Sequence, residues 1–310
     1  MDHDQFFKRM MHLFLREFFE LFFVDWLNRF DFDRVEWLEQ EVFPDPPRGE
    51  KRVVDILAKL PTIPSNPPEE NEPKDSLVLV HIEVESRDSV SEYPKRMYEY
   101  YTKLSGKYDF EVLPIAIFLS VGLDGLGTGV YKRGIWQKKT LIFEYDYVGL
   151  PALAGEEYLH GNNMLGVAWS CVMHMARDRR PEAAAEALQI IEASRLSPEQ
   201  KMTLMDFIHS YSPLKEEEWR DLNELLVNPK MENVMQFRKT WTEEAKDEGL
   251  ALGLELGKRQ LLERQLEARF SRPLDESIKR RLEEMSPNRI EALAVQLFSA
   301  SSLKELGLED

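Results

Sequence analysis

The sequence predicts an α/β fold: a mixed sheet flanked by helices, followed by an all-α C-terminal part. Three observations carry that expectation. In Leu77–Glu85 (LVLVHIEVE) the period of two puts Val78, Val80, Ile82 and Val84 on one face and Leu79, His81, Glu83 and Glu85 on the other. Residues 112–120 (VLPIAIFLS) form an apolar run of the kind found in central strands. Stretches of helical period, 6–26 and 92–107, alternate with these strands, and beyond Glu156 only helical patterns remain.

The elements follow in order. In 6–26, Phe7, Met11, Phe14, Phe18 and Phe22 share one face at about 100° per residue, while Arg9, Arg16 and Glu20 turn away. A second short helix is predicted over 32–42, ended by Pro44, Pro46 and Pro47. Residues 51–60 (KRVVDILAKL) read as a strand with Asp55, Leu57 and Lys59 on one face. Residues 62–75, rich in proline and acids, read as an exposed loop before the strand at 77–85. The glycines of 122–129 are explained as well by a loop between strands as by phosphate binding. Residues 128–131 and 140–147 are read as outer strands, which completes an α-β-β-α-β-β core over 1–150. A helical extension packed on that core is expected over 151–240. A long helix over 243–270, with Gly249, Gly253 and Gly257 at a spacing of four, opens a small helical module over 241–310.

Composition narrows the function classes. The chain has 310 residues, and its single cysteine, Cys171, excludes an internal disulfide framework or a cysteine-built zinc site. No apolar run reaches the roughly 18 residues of a membrane span, and the N-terminus lacks the features of a secretory signal. A soluble, cytoplasmic protein with no membrane partner is therefore expected. The net charge of −16 argues against passive coating of nucleic acid, which needs cations to neutralise phosphates. It leaves room for an enzyme whose acidic centre holds metal ions that meet the phosphate. Only residues 51–140 balance their acids with bases, so a site of that kind is expected there.

Asp55, Glu83 and Glu85 are the residues in that segment with chemistry to explain. A carboxylate within an otherwise apolar strand is costly unless paired or bound to a cation. Asp55 and Glu83 on neighbouring strands can share a hard divalent ion, Mg²⁺ or Mn²⁺, or form salt bridges to Arg96, Lys95 or Lys59. His81, on the Glu83 face, reads either as a metal or phosphate contact or as a hydrogen-bonded core histidine. Cys171, among Trp169, Val172 and Met173, reads as a buried structural thiol. Arg177, Arg179 and Arg180 suit a phosphate or a helix end. Tyr93, Tyr98, Tyr100 and Tyr101 suit sheet packing better than base stacking.

Asp55-Ile-Leu-Ala-Lys, Val80-His81-Ile82-Glu83-Val84-Glu85 and Tyr93-Pro94-Lys95-Arg96-Met97-Tyr98-Glu99-Tyr100 together resemble the recombination-promoting nuclease and transposase family of the PD-(D/E)xK nuclease superfamily. Phe6-Phe7-Lys8 with Phe18, Leu21, Phe22 and Phe23 resembles its first helix, and the stretch from Leu113-Pro114-Ile115 to Phe118 its core strand. The likeness spans roughly residues 4–235, and residues 245–310 resemble an appended helical domain of unknown function. The resemblance implies a restriction-endonuclease-like sheet and Mg²⁺- or Mn²⁺-dependent cleavage of DNA, with Asp55 and Glu83 as metal ligands. Glu17 of the first helix would be a further acid, with a solvated flank as its other reading. Arg96, Lys103 and His81 are the candidate DNA contacts.

The chain departs from that pattern at Glu85, where the family usually has Gln and the wider superfamily Lys. A lysine there orients the attacking water and offsets negative charge. Glu85 would act instead as an extra ligand or a base, with the missing cation supplied by Lys59 or Lys95. The alternative reading is a decayed nuclease core that serves as an oligomerising interaction module. Its C-terminal helices would then associate through faces such as Leu261, Leu266 and Phe270.

Overall fold

The computed structural model describes residues 3–38, 42–44, 51–53, 55–64, 77–85, 91–270, 272–297, 300 and 302–308. They divide into two compact units, Met1–Met235 and Gln236–Asp310.

The first unit opens with helix α1 (His3–Phe22), in which Phe14 leaves helical geometry at φ −139°. The periodic stretch 6–26 is therefore two helical pieces and a short α2 (Val24–Leu27) rather than one rod. The helix expected over 32–42 does not form. Phe32–Arg34 is a 3₁₀ turn capped by the Asp31 carboxylate, and β1 (Glu36–Trp37) follows it. Trp37 and Leu38 are drawn into edge pairing on the sheet, with Trp37 opposite Ala58 and the Leu38 N–H donating to Leu57 O at 3.0 Å. Backbone pairing thus overrides a helix-like apolar spacing.

The strand expected over 51–60 is interrupted. β2 (Val42–Pro44) pairs with β3 (Lys51–Val53) in a separate ribbon, and Asp55 sits in a bend before β4 (Ile56–Pro61). Most of the proline-rich loop expected over 62–75 lies outside the described residues. β5 (Leu77–Glu85) forms over the range its pattern indicates, α3 (Tyr93–Tyr108) follows with Pro94 in its first turn, and β6 (Glu111–Phe118) comes next. β7 (Leu126–Ile135) and β8 (Lys138–Gly149) make a long hairpin.

The six-stranded sheet runs β1-β4-β5-β6-β8-β7. β5, β6 and β8 are parallel neighbours, while β1–β4, β4–β5 and β7–β8 are antiparallel. The parallel step from β5 to β6 needs a crossover, and α3 provides it. α3 buries Tyr93, Met97, Tyr100 and Leu104 against Leu57, Leu79, Val112, Ala116 and Phe118, on the sheet face that carries His81, Glu83 and Glu85. Tyr98 and Tyr101 pack on Phe143, so these tyrosines build the sheet's cover. Gly127 and Gly129 lie opposite Tyr147 and Tyr145 in the β7–β8 ladder, where a Cβ would collide with the rings. At Gly149 a Cβ would strike the Gly122 carbonyl. Close packing of rings and backbone accounts for the glycine spacing.

Five further helices complete this unit: α4 (Gly155–Leu159), α5 (Met164–Trp169), α6 (Arg180–Ala193), α7 (Pro198–Tyr211) and α8 (Glu216–Leu226). Trp169 is fully buried between Phe18, Phe22 and Phe207, and its indole N–H points at Met10 Sδ, 3.2 Å away. Asn163 caps α5 through the Leu165 and Gly166 N–H groups and donates to Glu17 O at 2.9 Å, which fastens α5 to α1. Cys171 lies in this core, where burial pushes its thiol up to about 12.

The second unit contains most of α9 (Glu232–Phe270), with α10 (Glu276–Glu284) and α11 (Pro287–Gln296). Leu262, Leu266, Leu274, Ile278, Leu282, Ile290 and Leu293 form its own core, and Phe270 packs against it. Leu266 and Phe270 therefore hold the module together instead of offering a partner face, and of the proposed triplet only Leu261 is exposed. No helix among the described residues is long and apolar enough to cross a membrane. The mixed sheet flanked by helices, followed by a helical part, is the α/β architecture that the sequence predicts.

Candidate functional site

The antiparallel register of β4 and β5 sets Ile56 opposite Ile82, and Asp55, one residue earlier, comes level with Glu83. The two residues interlock. The Asp55 N–H donates to Glu83 Oε1 at 3.1 Å, and the Val84 N–H donates to Asp55 Oδ2 at 2.8 Å. Each carboxylate thus fixes the backbone of the other's strand. Asp55 is half-buried, whereas Glu83 is only 2% exposed and Glu85 only 6%.

His81, two residues before Glu83 on the same face, places Nε2 2.9 Å from Glu83 Oε1. Its ring is wholly buried, packs edge-on against Tyr100, and leaves Nδ1 without a hydrogen-bond partner. Burial is the main cause that drives its pKa down to about 4, with Arg96 acting in the same direction and Asp55 against it. The imidazole is therefore neutral at pH 7. Its role as a DNA contact is corrected: a ring with no exposed surface cannot meet a phosphate, and it orients Glu83 instead.

Arg96 lies in the first turns of α3, which the crossover brings over the end of β5. One of its nitrogens donates to Glu85 Oε2 at 2.7 Å, and the guanidinium lies 4.6 Å from the centre of the Tyr93 ring. Burial opposes its charge, but Tyr93, Glu83 and Glu85 outweigh that and hold its pKa above the usual value. The Tyr93 hydroxyl is pushed well above the ordinary phenol range, first by burial and then by Glu83. Arg96 is thus a cation paired with Glu85 and only partly open to a ligand.

The two lysines expected to supply a cation do not reach the site. Lys59 shares the Asp55 face, but it sits opposite Leu79, four residues from the level of Glu83. That separation is about 13 Å along a strand, and the Lys59 amine binds Glu36 Oε2 at 3.1 Å. Lys95 is largely exposed and pairs with Glu99 at 3.7 Å. Lys103, half-buried, lies two turns along α3 from Arg96. Glu17 lines a separate cleft of about 330 Å³ with His12, Arg16, Asp33 and Trp37, where burial raises its carboxyl pKa. Among the described residues no three His, Cys, Asp or Glu side chains are arranged to hold a metal, so Glu17 is not assembled with Asp55 and Glu83. Arg179 is taken up by Glu156 and Glu186.

Asp55 and Glu83 thus share a level on β4 and β5, while Glu85, two residues further along β5, is paired with Arg96. Two interlocked carboxylates are a hard oxygen donor set, and Mg²⁺ is commonly held by one or two carboxylates with water in its other positions. In that sense the residues fit a divalent ion. Sequence reasoning missed the Arg96–Glu85 clamp. The signal available for it was the short connection that places the first turn of the crossover helix beside the end of β5. In comparisons with known proteins, no family model matches the chain, and neither a curated protein nor a solved structure is similar to it.

Proposed function

We propose that this chain is a divalent-metal-dependent DNA endonuclease of the recombination-promoting type, hydrolysing phosphodiester bonds at Asp55, Glu83 and Glu85. One observation carries the reading: Asp55 and Glu83, carboxylates of neighbouring strands, stand level with each other and hydrogen-bond to each other's backbone at the end of a central strand, with Glu83 buried. Mg²⁺ or Mn²⁺ held by Asp55 and Glu83 would stabilise charge on the phosphate and ease deprotonation of the attacking water. The chain's own residues set the geometry. His81 and the Asp55 N–H both address Glu83 Oε1, which fixes the carboxylate plane, and the Val84 N–H holds Asp55. Arg96 restrains Glu85 and neutralises its charge.

A second reading, a nuclease-fold protein without activity, draws on the same clamp, because a Glu85 carboxylate held by Arg96 is poorly placed to act as a base. Mn²⁺ titration by calorimetry, run beside supercoiled-plasmid nicking, separates the two. Binding and nicking in the wild type, both lost in Asp55→Ala/Glu83→Gln, support the enzyme. Metal-dependent nicking that survives in the double variant refutes the site, and metal binding without nicking favours the inactive reading.

A further inference from the structure

The hairpin formed by β7 and β8 carries a concentrated, exposed basic surface. Residues 132–140 are all exposed, and they include Lys132, Arg133, Lys138 and Lys139. Between Asp124 and Glu144 there is no acidic residue, in a chain of net charge −16. Trp136 stands in the two-residue turn between the strands, 95% exposed and at φ +50°. Turns of this length favour Asn-Gly, which accepts positive φ at little cost, whereas a bulky side chain there is strained. Trp136 buries almost nothing, so neither packing nor turn geometry explains why it stands there.

The register distributes the charge. Lys132 pairs with Ile142, Arg133 with Leu141, Gly134 with Lys139 and Ile135 with Lys138, with a register shift between Arg133 and Gly134 that leaves Thr140 as an extra residue on β8, so the faces are read along β7. Opposed residues share a face and successive residues alternate. Lys132 and Lys139 therefore lie on one face of the ribbon, and Arg133 and Lys138 on the other. A flat anionic lipid surface would engage one face or the tip alone, whereas a DNA groove presents phosphates on both walls. The major groove, about 12 Å wide and 8.5 Å deep, admits a two-stranded ribbon. The four residues from Lys132 to Ile135 extend about 13 Å, enough to reach its floor.

We propose that the β7–β8 hairpin is a DNA-binding arm that enters the major groove of a duplex, with cations on both faces meeting opposite phosphate walls and Trp136 reaching the base edges. The proposal draws on the nuclease reading only for the choice of duplex. Ala116 joins the level of Glu83 to Tyr147 on β8, and Tyr147 lies nine residues from Lys138. That distance is about 30 Å along the strand, or roughly nine base pairs. The arm therefore grips DNA well away from Asp55 and Glu83.

The test is anisotropy of a fluorescein-labelled 20-base-pair duplex with the full chain in EDTA, at 50 and 200 mM KCl, so that binding is read without cleavage. The wild type binds and weakens with salt. Lys132→Ala/Arg133→Ala/Lys138→Ala/Lys139→Ala keeps the wild-type melting temperature, binds at least tenfold more weakly, and has a salt slope lower by about three to four. Trp136→Asn relaxes the turn, so it melts at or above the wild-type temperature yet binds several-fold more weakly. Wild-type protein that ignores the duplex at 50 mM KCl overturns the arm, as does a four-alanine variant that binds unchanged. Phosphatidylserine vesicles bound by the wild type and released by the four-alanine variant, with DNA binding unaffected, also overturn it. Asp55→Ala/Glu83→Gln must retain DNA binding. A wild type that binds through the arm but never nicks plasmid leaves the arm standing and removes the nuclease reading alone.

Discussion

Replacing Arg96 by Met would take the guanidinium away from the Glu85 carboxylate beneath α3. The pair is close, at 2.7 Å, and the Glu85 side chain is 7% exposed against 25% for Arg96. Breaking a buried ion pair from one side costs about 3–5 kcal/mol, because the remaining charge keeps its desolvation penalty. The partial exposure of Arg96 places this case at the low end, about 3 kcal/mol. For a unit of this size each kcal/mol shifts the melting temperature by roughly 2–4 °C, so Arg96→Met should melt roughly 6–12 °C lower. Glu85→Gln alone leaves Arg96 its solvent and the Tyr93 ring, and should cost about 1 kcal/mol. The decisive protein is the double variant. Gln at position 85 removes the charge that lost its guanidinium, so Glu85→Gln/Arg96→Met should lose less than Arg96→Met by itself, with a coupling energy near 2 kcal/mol. Urea denaturation of the four proteins, followed by circular dichroism, reads this directly. Losses that simply add would refute the clamp and return Arg96 to the status of a surface cation.

Two other predictions concern groups whose titration is set by burial. His81 takes its proton near 6.5 in the unfolded chain but only at about 4 when folded. The unfolded state therefore binds the extra proton between those values, and this group should remove about 1.4 kcal/mol of stability per pH unit as pH falls through that window, with no effect above it. His81→Gln should flatten the difference in urea midpoint between pH 7 and pH 5, and an equal slope in both proteins would contradict the assignment. Cys171, its thiol raised to about 12, should resist a thiol reagent such as DTNB at pH 8 in the folded protein and react fully in urea. Rapid labelling of the native chain would show that the α5–α7 core opens around it.

What the sequence discloses and what it hides follow from two geometric facts. Period two identifies the face of a strand, and so Glu83, Glu85 and His81 are legible as neighbours on one side of β5. It says nothing about level. Lys59 shares the face of Asp55 yet lies about 13 Å from Glu83 along the ladder, a separation visible only once Ile56 is set opposite Ile82. Helical spacing in 32–42 misleads for a related reason, since Trp37 and Leu38 satisfy their backbones on the edge of β4, a partner that no local pattern names. Arg96 reads in the chain as a salt-bridge partner of Asp55 or Glu83 or as a DNA contact, and its pairing with Glu85 becomes visible only once α3 docks with its first turn over the end of β5. The glycines show the converse. Gly127 and Gly129 share a spacing of two with Tyr145 and Tyr147, so the cross-strand packing is written in both strands and needs only the hairpin register to be read. By the same reasoning, the basic residues at 132–139 look like scattered charge in the chain and become a two-faced arm once β7 and β8 pair, because adjacent residues of one strand are then assigned to opposite faces.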